Sequence, residues 1–149
     1  MPIERVRGDS PWEEAIGFAG AVAAGDRVLV AGTMPMADGH PPAPADPYEQ
    51  ARSALVNAVA ALKPFGLGAE SVIRTRLYVV HARDVDDVAR AHKEVFGTIR
   101  PAATLLVVSG FVDSRVLVEV ELEAYRDPSA SPDAAELGTG PSRSTEGAP

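Results

Sequence analysis

Apolar residues recur at helical spacing in two segments of the chain, which predicts two amphipathic helices. The first begins after Asp46-Pro47, an N-cap residue followed by a proline suited to the first helical position. Its end is indicated by Lys63 and Gly66. The second begins after Asp84 and ends at Gly97. The apolar stripe of the first helix comprises Tyr48, Ala51, Leu55, Ala58, Val59 and Leu62. That of the second comprises Val85, Val88, Ala89, His92, Val95 and Phe96.

Five other segments have the alternation or β-branched composition of strands. They are residues 18–24, 28–33, 72–80, 103–108 and 116–125. Alternation in the third segment predicts one buried face, made of Ile73, Thr75, Leu77 and Val79. Alternation in the last segment places three carboxylates on one face, Glu119, Glu121 and Glu123. The order of the elements predicts an α/β domain in which two helices cover one face of a small sheet.

The segment 103–108 (ATLLVV) is apolar on both of its faces. Such a strand is usually buried on both sides, yet two helices can cover only one face of the sheet. The chain supplies no second cover. We therefore expect an oligomer that packs through the sheet.

Residues 127–149 differ in composition from the rest of the chain. They contain no aromatic residue and one large aliphatic residue, Leu137, while Pro, Gly and Ser fill 11 of the 23 positions. Such a segment buries too little apolar surface to offset the entropy lost on ordering. We predict a folded domain over residues 1–126 and a disordered C-terminal tail over residues 127–149.

Charge and composition exclude several classes of function. The chain has 149 residues with 14 Lys and Arg against 21 Asp and Glu, a net charge of −7, which disfavours nucleic acid as a partner. The absence of cysteine excludes disulfides, thiolate metal sites and Cys nucleophiles. The three histidines have no metal-ligand spacing, so no metal site is predicted. Neither a targeting segment nor an apolar run of about 20 residues is present, and a cytoplasmic protein without membrane contact is expected.

Six short segments between residues 10 and 126 follow one another in a distinctive order. They are Ser10-Pro-Trp-Glu, Ala15-Ile-Gly, Val30-Ala-Gly-Thr-Met-Pro, residues 72–79 (VIRTRLYV), Arg100-Pro-Ala and Leu117-Val-Glu-Val-Glu. The ordered set resembles the YjgF/RidA family. The resemblance implies a chorismate-mutase-like α/β fold, a mixed sheet with two helices on one face, that assembles as a homotrimer with clefts between subunits.

The family resemblance also implies a chemistry. Its best-studied members hydrolyse reactive imines and enamines to carbonyl compounds and ammonia without a cofactor or a metal. In them an Arg after Pro-Ala holds the substrate carboxylate, and a Glu in the last strand handles the water. Glu119 matches the Glu and is the expected catalytic residue, whereas Ala103 stands where the Arg is usual. The chain therefore resembles a divergent branch that lacks the usual carboxylate clamp.

Seven residues are expected to bind a small-molecule substrate in the cleft. Arg76 and Arg100 are the two that could contact an anionic group in place of the missing clamp. The others line the cleft: Gly32, Thr33, Ala103, Thr104 and Leu105. For Arg76 the alternative is a cross-strand ion pair with Glu119 or Glu121.

Two functions follow from these residues. The first is hydrolysis of an imine or enamine, with Glu119 positioning water. The second is non-catalytic metabolite binding or a scaffold role that uses the same cleft, which the apolar replacements Ala103, Leu105 and Ala89 favour. Endoribonuclease activity, attributed to some relatives, is a third and weaker hypothesis because of the net charge of −7.

Overall fold

A computed structural model describes residues 2–128 of the chain. The strands are β1 (Glu4–Val6), β2 (Ala21–Ala24), β3 (Arg27–Thr33), β4 (Val72–Val79), β5 (Ala102–Val107) and β6 (Val118–Tyr125). The two α-helices are α1 (Pro47–Ala60) and α2 (Val85–Phe96). From residue 129 onward, the tail predicted for residues 127–149 lies outside the described residues. Among residues 2–128, neither helix has the length and the apolar character that a membrane span requires.

The six strands form one mixed sheet in the order β1-β2-β3-β6-β4-β5. β4 and β5 are parallel and are connected through α2, whereas the other neighbouring pairs are antiparallel. The mixed α/β architecture with two main helices confirms the predicted fold class. The structure adds β1, a three-residue strand that the sequence pattern did not indicate.

The core lies between α1, α2 and one face of the sheet. In β6 the apolar residues are buried under the helices, and the three glutamates alternate onto the opposite, outer face. In β4 a register shift between Val72 and Arg74 interrupts the alternation, so that Val72 is buried and Ile73 is 39% exposed. The prediction that Ile73 lies on the buried face is therefore wrong. Thr75, Leu77 and Val79 are buried as expected.

β5 lies at one edge of the sheet and pairs only with β4 among the described strands. Its apolar side chains are largely exposed, with Leu106 at 42% and Val107 at 55%. A single chain thus leaves this strand without a cover. An oligomer that covers it remains a prediction.

Candidate functional site

The outer face of the sheet carries a cluster of ionisable side chains from β4 and β6. The register places Tyr78 opposite Glu119 and Arg76 opposite Glu121. Arg76 Nη1 lies 3.3 Å from Glu121 Oε1, and the Tyr78 hydroxyl donates to the same oxygen at 2.5 Å. The hydrogen bond to Glu121, together with burial, raises the pKa of the Tyr78 hydroxyl. Arg76 therefore occupies the cross-strand pair that was the alternative to substrate binding, and its role as an anion contact remains a prediction.

Glu119 differs from its neighbour Glu121 in its surroundings. Its partly buried carboxylate lies against Gly32 of β3, where an added Cβ would be 2.2 Å from Glu119 Oε1. Position 32 must therefore lack a side chain for the carboxylate to lie there. Burial, and next the negative charge of Glu121, raise the pKa of the Glu119 carboxyl. Such a carboxyl can accept and return a proton near neutral pH more readily than an ordinary glutamate.

Two of the three expected substrate-binding residues of β5, Ala103 and Leu105, do not lie on the same side of the sheet as Glu119. Parallel pairing puts Ala103 beside the buried Thr75, and Leu105 beside the buried Leu77. Thr104 pairs with Arg76 and shares the outer face. One chain therefore separates Ala103 and Leu105 from Glu119 by both strand order and face.

Arg100 lies in the turn between α2 and β5, at a φ of 57° that residues other than glycine rarely adopt. Its backbone N–H donates to the Phe96 carbonyl at 2.8 Å, which closes the end of α2. A cavity of about 380 Å³ opens here, lined by His92, Lys93, Phe96, Gly97, Arg100 and Pro101. Gly32 does not line this cavity, so a single chain does not bring Arg100 and Gly32 into one site.

His92 packs within the fold. Its Nε2 lies 2.8 Å from the Thr75 hydroxyl, and its ring centre lies 5.0 Å from that of Phe96. Burial lowers the pKa of the imidazole, which favours the neutral ring. Within residues 2–128, no group of three or more His, Cys, Asp or Glu residues is arranged to hold a metal ion.

A second cavity, of about 520 Å³, lies beside Gly32 and Thr33 and was not predicted from the sequence. We call it the Trp12 cavity. The Thr33 hydroxyl donates to the Ala31 carbonyl at 2.8 Å and is left as an acceptor only. The other walls come from three parts of the chain: the segment 8–13, the loop 34–39 and the C-terminal end of α1, with Phe18, Gly20, Ala31 and Asp113 adding to them.

Two polar side chains hold the walls of the Trp12 cavity. Asn57 of α1 donates to the carbonyls of Met34 at 3.2 Å and Met36 at 3.1 Å. Glu13 is 4% exposed, and its carboxylate accepts the backbone N–H groups of Gly8 at 2.8 Å and Ser10 at 3.3 Å. In the sequence, only the Ser10-Pro-Trp-Glu segment pointed to the cavity wall formed by residues 8–13. The segment gave no indication of which residues would lie across the cavity from it.

Replacing Glu13 with alanine is expected to lower the free energy of unfolding by about 1–3 kcal/mol, because the Gly8 and Ser10 N–H groups lose their acceptor. Urea denaturation measures the change. Glutamine at position 13 keeps one acceptor oxygen, so Glu13→Gln should lower the free energy of unfolding by less than Glu13→Ala does. Glu14, which is exposed, provides the control, and its replacement by alanine should change the free energy by under about 0.5 kcal/mol. Equal effects of Glu13→Ala and Glu14→Ala would show that the buried carboxylate does not hold the segment.

The chain is similar to known proteins both in sequence and in fold. The family model described as Endoribonuclease L-PSP matches residues 10–126. An uncharacterized protein of Streptomyces coelicolor is 60% identical over 124 residues, which cover 83% of this chain and 92% of that protein. A RutC family protein of Pyrococcus horikoshii is 28% identical over 114 residues, or 74% of this chain and 87% of that protein. Among solved structures, a Mycobacterium tuberculosis member of the YjgF/YER057c/UK114 family has a TM-score of 0.75 and 34% identity, covering 83% of this chain and 99% of that one.

Proposed function

Because the chain belongs to the Endoribonuclease L-PSP family, also known as the YjgF/RidA family, we propose that it hydrolyses reactive imines or enamines. The observation that carries the proposal is the Glu119 carboxyl, partly buried against Gly32 and raised in pKa. The resemblance of the Leu117-Val-Glu-Val-Glu segment to the family motif supports the same residue. The site requires no metal or organic cofactor in this proposal.

The reaction uses one water and balances without a co-reactant. An enamine first gains a proton on carbon and becomes an iminium, as an imine does by gaining one on nitrogen. Water adds to the carbon of this protonated C=N bond, and the Glu119 carboxylate takes one of the water protons, which leaves a carbinolamine. Glu119 returns that proton to nitrogen, and the C–N bond breaks as the hydroxyl proton passes to Glu119, which gives a carbonyl compound and ammonia. A carboxyl of raised pKa suits both proton transfers, because its two protonation states are closer in free energy near neutral pH.

We place the site in a cleft between subunits of a homotrimer. The argument is the separation of the β5 residues from Glu119 within one chain, together with the exposed apolar edge of β5. In the assembly, Ala103 and Leu105 of one copy would face the Glu119 and Gly32 of another. Light scattering at micromolar concentration should give three times the 15.6 kDa mass of one chain, and a monomer would contradict the assembly.

The absence of the usual Arg has a consequence for the substrate. Ala103 offers no charge to a carboxylate, so amino-acid imines lose the contact that would orient them. Because positioning supplies much of the rate in such reactions, turnover of these imines should be slower than in relatives with the Arg. The apolar side chains of Ala103 and Leu105 also favour a second candidate function, metabolite binding without turnover in the same cleft.

An imine-clearance assay distinguishes the two functions. An amino acid oxidase generates imines from a panel of amino acids, and semicarbazide competes with the protein for them. If the chain is a hydrolase, the trapped adduct forms more slowly when it is present, and heat-denatured protein has no effect. If the adduct forms at the same rate across the panel with trimeric protein, the hydrolase proposal fails for these imines and the binding function is favoured.

A further inference from the structure

The Trp12 cavity has the size and the apolar lining of a small-ligand site. Its volume of about 520 Å³ falls within the range of roughly 300–1,000 Å³ usual for such sites. The apolar side chains around it include one indole, one phenyl ring and two thioethers, those of Trp12, Phe18, Met34 and Met36. Aromatic faces and thioethers attract an apolar body and, in the case of the indole, also a cation.

The ionisable side chains that line the cavity are all acidic. The ionisable residues that line it are Asp9, Glu13, Asp38 and Asp113, and the described lining contains no Lys, Arg or His. Glu13 is engaged with backbone N–H groups, and Asp113 with Arg115. Asp9 and Asp38 have no hydrogen bond or ion pair with any described residue, and both are exposed to solvent. Two carboxylates at the cavity are therefore available to a ligand.

Asp38 is held in place by its backbone. It lies at a φ of 53° in a turn closed by the paired backbone bonds of Ala37 and His40, at 2.9 and 3.0 Å. Arg115 Nη2 donates to the Gly39 carbonyl at 3.1 Å, and its Nη1 lies 2.8 Å from His40 Nδ1. Arg115 in turn holds Asp113, whose pKa the guanidinium lowers to about 2. The turn that carries Asp38 is thus closed by hydrogen bonds before a ligand arrives, which lowers the entropy lost on binding.

We propose that the Trp12 cavity binds a small organic cation, a protonated amine or an iminium with an aromatic or alkyl body. The cationic group lies near Asp38 and Asp9, and the body lies against Trp12, Met34 and Met36. A carboxylate-bearing ligand is repelled by the same residues. The binding site does not depend on hydrolysis. A further step, hydrolysis of a bound amine-derived iminium beside Gly32, rests on the proposed function.

The chain contains one tryptophan, so Trp12 fluorescence reports on this cavity directly. We would titrate the protein with benzylammonium and compare it with two probes of similar shape, neutral benzyl alcohol and anionic benzoate. Benzylammonium should give a saturable change, benzyl alcohol should bind at least about fivefold more weakly, and benzoate should give no saturable change. The affinity for benzylammonium should fall as salt is added. Isothermal calorimetry repeats each titration in case the indole signal does not respond.

Single variants Asp9→Asn and Asp38→Asn should each weaken benzylammonium binding about two- to fivefold, and the double variant about tenfold. Asparagine tolerates the positive φ at position 38, so the turn is kept. Asp86→Asn, an exposed carboxylate on α2 away from the cavity, is the matched control and should leave binding unchanged.

Three results would overturn the assignment: benzyl alcohol or benzoate binding as tightly as benzylammonium, no heat and no fluorescence change with any probe, or equal weakening by Asp38→Asn and Asp86→Asn. Binding of benzylammonium without imine clearance would support the cation site and count against hydrolysis. Imine clearance without benzylammonium binding would support hydrolysis and count against the cation site.

Discussion

Replacing Glu119 with glutamine is expected to lower the rate of imine hydrolysis by about 100-fold or more, because the amide cannot accept a proton from the attacking water. Glutamine keeps nearly the same shape, so the close approach to Gly32 is preserved. The measurement is the imine-clearance rate of each protein at several substrate concentrations. A fall in kcat without a matching rise in KM would assign the loss to the chemical step rather than to binding.

The pH profile gives an independent readout of the same residue. As a base, Glu119 acts when ionised, so activity should rise as pH increases through its raised pKa. Glu121 contributes to that raised pKa through its negative charge. Removing the charge by Glu121→Gln should lower the pKa of Glu119 and shift the acid limb of the profile to lower pH. An acid limb that does not move would contradict the coupling of the two carboxylates.

Loss of activity in Glu119→Gln must be separated from loss of folding. The folded-state pKa of Glu119 is raised, so its contribution to stability is present at low pH and is lost as pH rises through that pKa. At pH 7 the glutamine variant should therefore unfold at the same or a higher urea concentration than the wild type. Glu123→Gln is the matched control on the same face, where the carboxylate pairs with Arg27 at 2.7 Å, and it should retain activity within about threefold. Equal activity of Glu119→Gln and wild type would contradict the catalytic assignment.

Replacing Gln50 with leucine is expected to lower the free energy of unfolding by about 2–4 kcal/mol, a large share of the roughly 5–15 kcal/mol typical of a domain. Gln50 is fully buried in α1. Its amide donates to the Arg115 carbonyl at 3.0 Å and accepts the Leu117 N–H at 2.7 Å. Leucine fills a similar volume but takes the side-chain partner away from both partly buried backbone groups. Urea denaturation measures the effect.

Two further variants test the cause of this loss. Val56→Gln changes an exposed residue of the same helix and should alter the free energy of unfolding by under about 0.5 kcal/mol. Gln50→Leu should also shift the Trp12 emission. The variant loses the hydrogen bond to the Arg115 carbonyl, and the guanidinium of Arg115 holds the Gly39 turn at the Trp12 cavity. A cost below about 1 kcal/mol would show that water or a small shift satisfies both backbone groups.

Periodicity in the sequence located the starts of both helices, whereas α1 ends at Ala60, before the predicted end at Lys63 and Gly66. The predicted starts after Asp46 and Asp84 correspond to α1 at Pro47 and α2 at Val85. The Asp46 side chain accepts the Glu49 N–H at 3.1 Å, as its N-cap position predicts. These features are local, since a cap and a stripe at 3.6-residue spacing depend only on nearby residues.

The errors in the strands arise where pairing overrides local pattern. Alternation alone put Ile73 on the buried face, but the register shift in β4 turned it outward. β1 consists of Glu4–Val6, which carry no apolar alternation, and it exists because its backbone pairs with β2. A pattern in one segment holds no information about the backbone groups of its partner.

By itself the sequence determined the α/β order, the carboxylate face of β6 and the family resemblance that singled out Glu119 and the missing clamp at Ala103. The tertiary structure alone decided that Glu119 lies against Gly32, that Arg76 pairs with Glu121, and that Trp12 and Asp38 line one cavity. The physical reason is the distance along the chain over which each feature is set. Helix periodicity and strand alternation depend on residues a few positions apart. A cavity or a shifted pKa depends on side chains that come together only when distant strands pair.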